Sequence, residues 1–364
     1  MRSYTSPVPN IFPPPESMRP TLMGQNYMIT AGHPLIAKVA ADVLDANGNA
    51  IDAGVAAGIA SNVVQADMCN FGGVAPIVLR TAKSNKVWCI SGVGNWSDSV
   101  TLKEYIKRHN SEIPVGGASC VIPAAPDAWI MALSRFGTKS FSEVSSHAIF
   151  YGEYGFPLDI RSACAFKLMG ETFKSWNTSK RIYWPKGRAP KVGEILKQPE
   201  LAKLLRYMCS FETGRDRKRA LEKVRKAFYN GKVARQIVKW VTDDNGWMTE
   251  EDLHNFKNEV YLAPSYNFQG WQVYTGDIYC QGPVLLQSLS ILSDFNLKTL
   301  KHNTSEYIHL VTEAMKIAFS EREKYYGDTN FVKTRLNDLL KPKHIKKLRS
   351  LIKSTASLTD LPTL

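Results

Sequence analysis

Residues 69–80, "CNFGGVAPIVLR", set Gly72 and Gly73 side by side just after Asn70, at the mouth of a stretch that otherwise reads as a buried strand. Glycine offers a strand interior nothing to pack and costs backbone entropy, so a pair there marks either close backbone approach or a tight turn. Close approach is what a substrate groove needs; a tight turn is what a strand entry needs. Other chemistry is sparse. The 6 cysteines (Cys69, Cys89, Cys120, Cys164, Cys209, Cys280) follow no CxxC spacing, and the 7 histidines form neither HExxH nor a pair at helical spacing. That pattern predicts free thiols and no metal site. "GVGN" at 92–95 lacks the third glycine of a dinucleotide fingerprint and is not followed by a helix, so no nucleotide cofactor is expected.

The elements that would position these residues follow from periodicity. "TAGHPLIAKVAADVLDANGNAIDAGVAAGIASNVV" reads as two helices. Pro34 suits a first helical position, and Leu35, Val39 and Val43 form a stripe; Gly48 is expected to stop the helix and Asn49 to cap the next. In the second helix Ile51, Val55, Ile59 and Val63 share one face, while alanines and Gly58 keep the other thin, which predicts a core helix. His33 and Asp52 at the two helix starts read as structural. "APIVLRTA" and "KVWCISGV" predict an antiparallel hairpin, and "YNFQGWQVYTGD" a later strand pair. Ser140 with Glu143, and Thr249 with Asp252, stand in capping-box register. A helix is entered at Pro283, and a long one over 305–326 ends at Gly327. Paired strands early and late, with helices between, predict one mixed α/β or α+β domain over 28–364, preceded by a proline-rich arm at 1–27.

Composition narrows the class. The chain has 364 residues, 44% hydrophobic and 22% charged, values ordinary for a soluble globular protein. The arm has no basic and apolar regions of a signal peptide, and no uninterrupted apolar run would cross a bilayer, so a cytoplasmic protein with no membrane partner is expected. The formal net charge of +13 is concentrated at 214–228 and 341–353. Both stretches read as amphipathic helices with solvated basic faces. No aromatic residues interleave with the cations, so nucleic acid is not an expected partner.

The order of motifs resembles the gamma-glutamyltranspeptidase family. Its opening helix–helix unit with "GGNAxDA" corresponds to Asn47–Ala53, and its "NLGGGGF" element to "NFGGVAP". "VIPAAPDAWIMALSRFGTKSFSEV", "NGWMTEEDL" and "EAMKIAFSEREKYYGDTNFV" follow in family order between about Met28 and Val332. The resemblance implies an N-terminal-nucleophile (Ntn) hydrolase: a four-layer αββα sandwich made as a precursor that cuts itself. The small subunit released would begin with the catalytic threonine. A threonine hydroxyl is a weak nucleophile, and its own α-amine, with a pKa of about 8, can serve as general base. No such segment occurs before Leu364, so no catalytic residue is expected in this chain and the partner is expected to be a small subunit from the same precursor.

The resemblance also locates a substrate pocket and two departures. The family's carboxylate-binding arginine falls on Gly92 in "CISGVGNWS"; the nearest polar groups are the N–H groups of Gly92 and Gly94, Asn95 and the indole of Trp96. Where the family carries "PPPSSGG", this chain has "DIYCQGP", with Gln281 and Gly282. Both features resemble the branch containing oxamate amidohydrolase and point away from gamma-glutamyl specificity. The expected substrate is therefore a small, oxamate-like amide bound by Asn70, Gly72, Gly73, Gly92, Gly94, Asn95, Trp96, Gln281 and Gly282. Gamma-glutamyl transfer or hydrolysis is the alternative, and a non-catalytic binding protein on the same scaffold a further one.

Overall fold

The computed structural model describes residues 21–357, so most of the proline-rich arm and the last seven residues lie outside the described residues. The first helix, α1 (Pro34–Asp45), starts on His33, whose Nδ1 accepts the Leu35 N–H at 3.1 Å. It ends in a Schellman turn, with Gly48 N–H bonded to Val43 O at 2.8 Å and Asn47 N–H to Leu44 O at 3.0 Å. Asn47, at φ 60°, takes the left-handed position expected of the glycine. Gly48 is required for a different reason, because a Cβ there would lie 2.6 Å from Val43 Cγ1.

The second helix, α2 (Ala50–Val64), begins in a capping box formed by Asn49 and Asp52. Asp52 is fully buried and also accepts bonds from Thr138 N–H, Thr138 Oγ1 and Lys139 N–H, at 2.8, 2.7 and 3.0 Å. Burial alone would raise this carboxyl's pKa; the bonds from Asn49, Lys139 and Thr138 outweigh it and hold the group below its usual value. His33 and Asp52 are thus structural, as expected. Val55, Ala56, Ile59, Ala60 and Val63 of α2 are buried, which confirms a core helix.

The hairpin forms as predicted from β1 (Ile77–Arg80) and β2 (Val87–Ile90), in antiparallel register Ile77↔Ile90. After α3 (Leu102–His109) come α4 (Ala125–Phe136) and α5 (Phe141–Tyr154), the latter capped by Ser140 and Glu143. A helical middle follows: β3 (Phe156–Pro157), α6 (Ile160–Leu168), α7 (Gly170–Lys174), α8 (Asn177–Tyr183), β4 (Ile195–Leu196), α9 (Pro199–Cys209), α10 (Arg217–Tyr229), α11 (Lys232–Asp243) and α12 (Glu250–Asn255). β5 (Val260–Leu262) then pairs with β2, Cys89↔Tyr261, to give a three-stranded sheet ordered β1-β2-β5. The hairpin β6 (Ser265–Phe268)–β7 (Trp271–Tyr274) leads to α13 (Gly282–Leu292), α14 (Ser305–Tyr325), α15 (Leu336–Leu339) and α16 (Pro342–Arg349).

One large apolar core links α1, α2, α4, α5, α9 and α10, and a smaller one lies between α13, α14 and α16 around Ile291, Leu310, Ile317 and Leu348. The basic helices differ from expectation, since some of their arginines turn inward. Arg217 donates to Leu133 O at 3.0 Å and Gly137 O at 2.8 Å, closing the C-terminus of α4. Arg349 does the same for α13 through Ser290 O and Ile291 O, both at 2.9 Å. A guanidinium fork suits this role because it carries several donors and meets the negative end of the helix dipole.

Candidate active site

The 91–96 loop leaves β2 and is held along its whole length. Ser91 N–H donates to Glu259 O at 3.0 Å and Ser91 Oγ to Asn258 Oδ1 at 3.1 Å. Gly92 has φ +58° and accepts the Ala75 N–H at 2.8 Å; a Cβ on it would fall 2.0 Å from Ala75 O. Asn95 O accepts the Ile122 N–H at 2.9 Å, and a Cβ on Gly94 would fall 1.8 Å from Ile122 O. Both glycines therefore exist to let two other backbone segments come close. Beyond the loop, Ser97 Oγ donates to Trp247 O at 3.0 Å and Asp98 N–H to Asp252 at 3.1 Å, which ties the loop to the capping box of α12. Trp96 stands edge-on to Tyr105 with ring centroids 5.3 Å apart.

Val93, Gly94, Asn95 and Trp96 line a cavity of about 270 Å³ together with Tyr279, Lys257, Asp328 and Asn330. Its size suits a small acyl group, since ligand pockets for drug-sized molecules start at about 300 Å³. Tyr279 hydrogen-bonds Tyr261 through the two hydroxyls at 2.7 Å, and Tyr261 accepts the Asp277 N–H at 3.2 Å. Burial, then the bond to Tyr261, pushes the Tyr279 phenol's pKa well up, so it is protonated at neutral pH. Nothing in the local sequence marks Lys257 or Tyr279 as pocket residues. Lys257 is 163 residues beyond Gly94 in number, and no local pattern signals a pairing that long.

Asn70 and Gly73 line a different space, a groove of about 540 Å³ between α2 and the β1 edge, beside Gly54, Gly58 and Val78. Gly73 N–H bonds to Asn70 O at 3.0 Å in a turn, while Gly73 O accepts both Ala124 N–H and Ala125 N–H at 3.0 Å, joining the turn to the start of α4. A Cβ on Gly72 would meet only ordinary contacts, Asn70 Oδ1 at 3.6 Å and Pro123 Cγ at 3.9 Å. Gln281 precedes α13 and accepts from Arg322 at 2.6 Å without capping the helix. Gly282 is pressed on Thr275, where a Cβ would lie 1.7 Å from Oγ1. The structure thus gathers Gly94, Asn95 and Trp96 at one cavity and Asn70 and Gly73 at a neighbouring groove. Gly72, Gly92, Gln281 and Gly282 line neither. Among the described residues no cluster of His, Cys, Asp or Glu could hold a metal ion, and no helix is long and apolar enough to cross a membrane.

The mixture of helices and short antiparallel strands is of the α+β class, the motif order fits an Ntn-hydrolase type within it, and comparison with known proteins agrees. The sequence profile described as Gamma-glutamyltranspeptidase matches residues 36–363. The glutathione hydrolase proenzyme of Bacillus subtilis (strain 168) is 31% identical over 336 residues, covering 91% of this chain and 55% of that protein. The acylase ACY 1 proenzyme of Pseudomonas sp. (strain SE83) is 26% identical, covering 90% of this chain and 59% of that protein. Among solved structures, Helicobacter pylori gamma-glutamyltranspeptidase superposes with a TM-score of 0.85 at 26% identity, over 93% of this chain and 95% of the matched chain. The chain belongs to the gamma-glutamyltranspeptidase family. It spans about half the length of the curated relatives it matches.

Proposed function

We propose that this chain is the large-subunit part of a self-processed enzyme that cleaves amide bonds, with gamma-glutamyl amides as the first substrate class. One observation carries the reading. The β1-β2-β5 sheet has no strand on either outer edge among the described residues, and a groove runs along β1, in a chain that spans 55% of a relative named a proenzyme. A small subunit from the same precursor would add its strands there and bring the N-terminal threonine to the neighbouring 91–96 cavity. The threonine hydroxyl attacks the substrate carbonyl while the α-amine takes its proton; the amide C–N bond then breaks and the departing amine receives that proton. Water or another amine, deprotonated in turn by the α-amine, releases the acyl group and restores the threonine hydroxyl. The loop's role is to hold the acyl part, with Trp96 as a flat wall and Asn95 and Tyr279 as hydrogen-bonding groups. We place this activity in the cytoplasm, where its thiols stay reduced.

The gamma-glutamyl class is favoured by the names of the relatives. A small oxamate-like amide is the second reading, favoured by the absence of a guanidinium from the 91–96 loop. No side chain fits at Gly92 with Ala75 O so close, and the cation that lines the cavity is Lys257 instead. The test is expression of the full gene, intact-mass measurement, N-terminal sequencing of any second chain, and assay against a gamma-glutamyl anilide and oxamate. A companion beginning with threonine and turnover of the anilide are expected. Turnover of oxamate alone would select the second reading. An unprocessed product inactive on both would leave a binding scaffold.

A further inference from the structure

Away from the 91–96 loop, α4 and α10 border a second cavity of about 210 Å³ that opens to solvent. At its base Asp127, 1% exposed, is paired with Arg225 and accepts Asn258 N–H and Nδ2–H at 2.8 and 2.9 Å. That pair is internally neutral. The remaining charged lining consists of Arg135, Lys218 and Lys257 against Glu222, and none of these three cations has an ion-pair or hydrogen-bond partner among the described residues. The contrast is local: Arg217, Arg225 and Lys223 on the same helix all find acceptors. Unpaired cations facing one shared space raise the local concentration of anions, an effect that salt screens because all three are exposed.

We propose that this cavity binds a small dianionic oxyanion of the phosphate type. The surplus of positive charge matches a dianion better than a monoanion. A water takes about 30 Å³ of liquid volume, so the space admits one tetrahedral group with a few waters. Ser134 lines the same cavity and supplies a hydroxyl. Arg225 is held by Asp127 and Phe256 O, which keeps the base of the site rigid while the outer cations close on the ligand.

The site is wired to the candidate active site. Lys257 lines both cavities, and Asn258, which binds Asp127, accepts the hydroxyl of Ser91 on the active-site wall at 3.1 Å. An anion that draws Lys257 towards α4 and α10 withdraws its charge from the 91–96 cavity. Binding of the two anions is therefore antagonistic, and by linkage the effect is mutual. This second step rests on the proposed function; the binding itself does not.

Calorimetric titration of the full gene product with inorganic phosphate, at constant ionic strength balanced with chloride, tests the site directly. A saturable single-site isotherm is expected. Arg135→Gln and Lys218→Gln should each weaken it about tenfold, and Glu222→Gln should tighten it; all three positions are exposed, so folding is preserved. No saturable heat, or equal affinity in all variants, would overturn the proposal and leave only diffuse attraction to a chain of charge +13. For the active enzyme, phosphate should raise KM for an anionic amide with kcat unchanged. Phosphate binding that leaves KM unmoved would overturn the coupling and keep the site.

Discussion

Single residues show where local sequence was sufficient and where it was not. Asp52 was legible because its partner Asn49 is three positions away and the capping pattern is local. Its bonds to Thr138 and Lys139, 86 and 87 residues off, were not. Asp52→Asn should cost about 2–4 kcal/mol at neutral pH, because it leaves several buried donors poorly matched. The pH dependence has a definite sign. The folded pKa lies below the unfolded one, so the contribution is complete above the unfolded value near 4 and is lost as pH falls through the depressed value. Urea midpoints of the variant should therefore vary less than wild type between about pH 3 and 5. At Gly94, alanine would force the loop off Ile122; an expected loss of about 2–3 kcal/mol comes with a shift in Trp96 emission. From the sequence Gly94 reads as a backbone donor, whereas its geometry makes it a point of contact between segments. That contact is invisible to a reading that sees spacing but no approach distances.

At the level of elements, helices were the easier reading. Caps, proline at the first position and apolar stripes are all encoded within a few turns, and α1, α2, α5, α12, α13 and α14 follow them. β5 went unread because three residues, Val260–Leu262, carry too little alternation, and its partner β2 lies about 170 residues earlier. The basic helices are amphipathic as expected, but the inward turn of Arg217 and Arg349 from their basic faces is not legible, because sequence cannot tell a guanidinium in water from one on a helix C-terminus. Arg217→Met should destabilise by about 1–2 kcal/mol, and chemical denaturation checks this against Arg219→Met, whose side chain is exposed and nearly silent. α2 offers a sharper test. A Cβ on Gly54 meets nothing within 4 Å, so Gly54→Ala should stabilise this chain by about 0.5–1 kcal/mol. If the groove receives the small subunit, the same change should weaken assembly, measured as subunit dissociation on dilution.

For the molecule as a whole, the family was legible from motif order across most of the chain, and the profile match over 36–363 agrees with it. The α+β character also followed from sequence. The division of the interior into a large core and a smaller one under α13, α14 and α16 did not, since both draw on equally apolar helices. The smaller core buries fewer side chains, so amide exchange in α14 and α16 should proceed at a lower opening free energy than in α2 and α4. Exchange measured by mass spectrometry at peptide resolution would detect this; uniform protection would show one cooperative unit. The sheet has a further consequence. An unpaired strand is indifferent to whose strand it meets, and β1 and β5 offer two such edges with Val78 and Leu262 half exposed beside them. Made as a free polypeptide, the chain would be in a race against its own copies, and self-association climbs with concentration while capture by a covalently attached segment does not. If the small subunit proposed above supplies the completing strands from the same precursor, that race is removed: the strands would arrive at a fixed effective concentration, whatever the concentration of the chain.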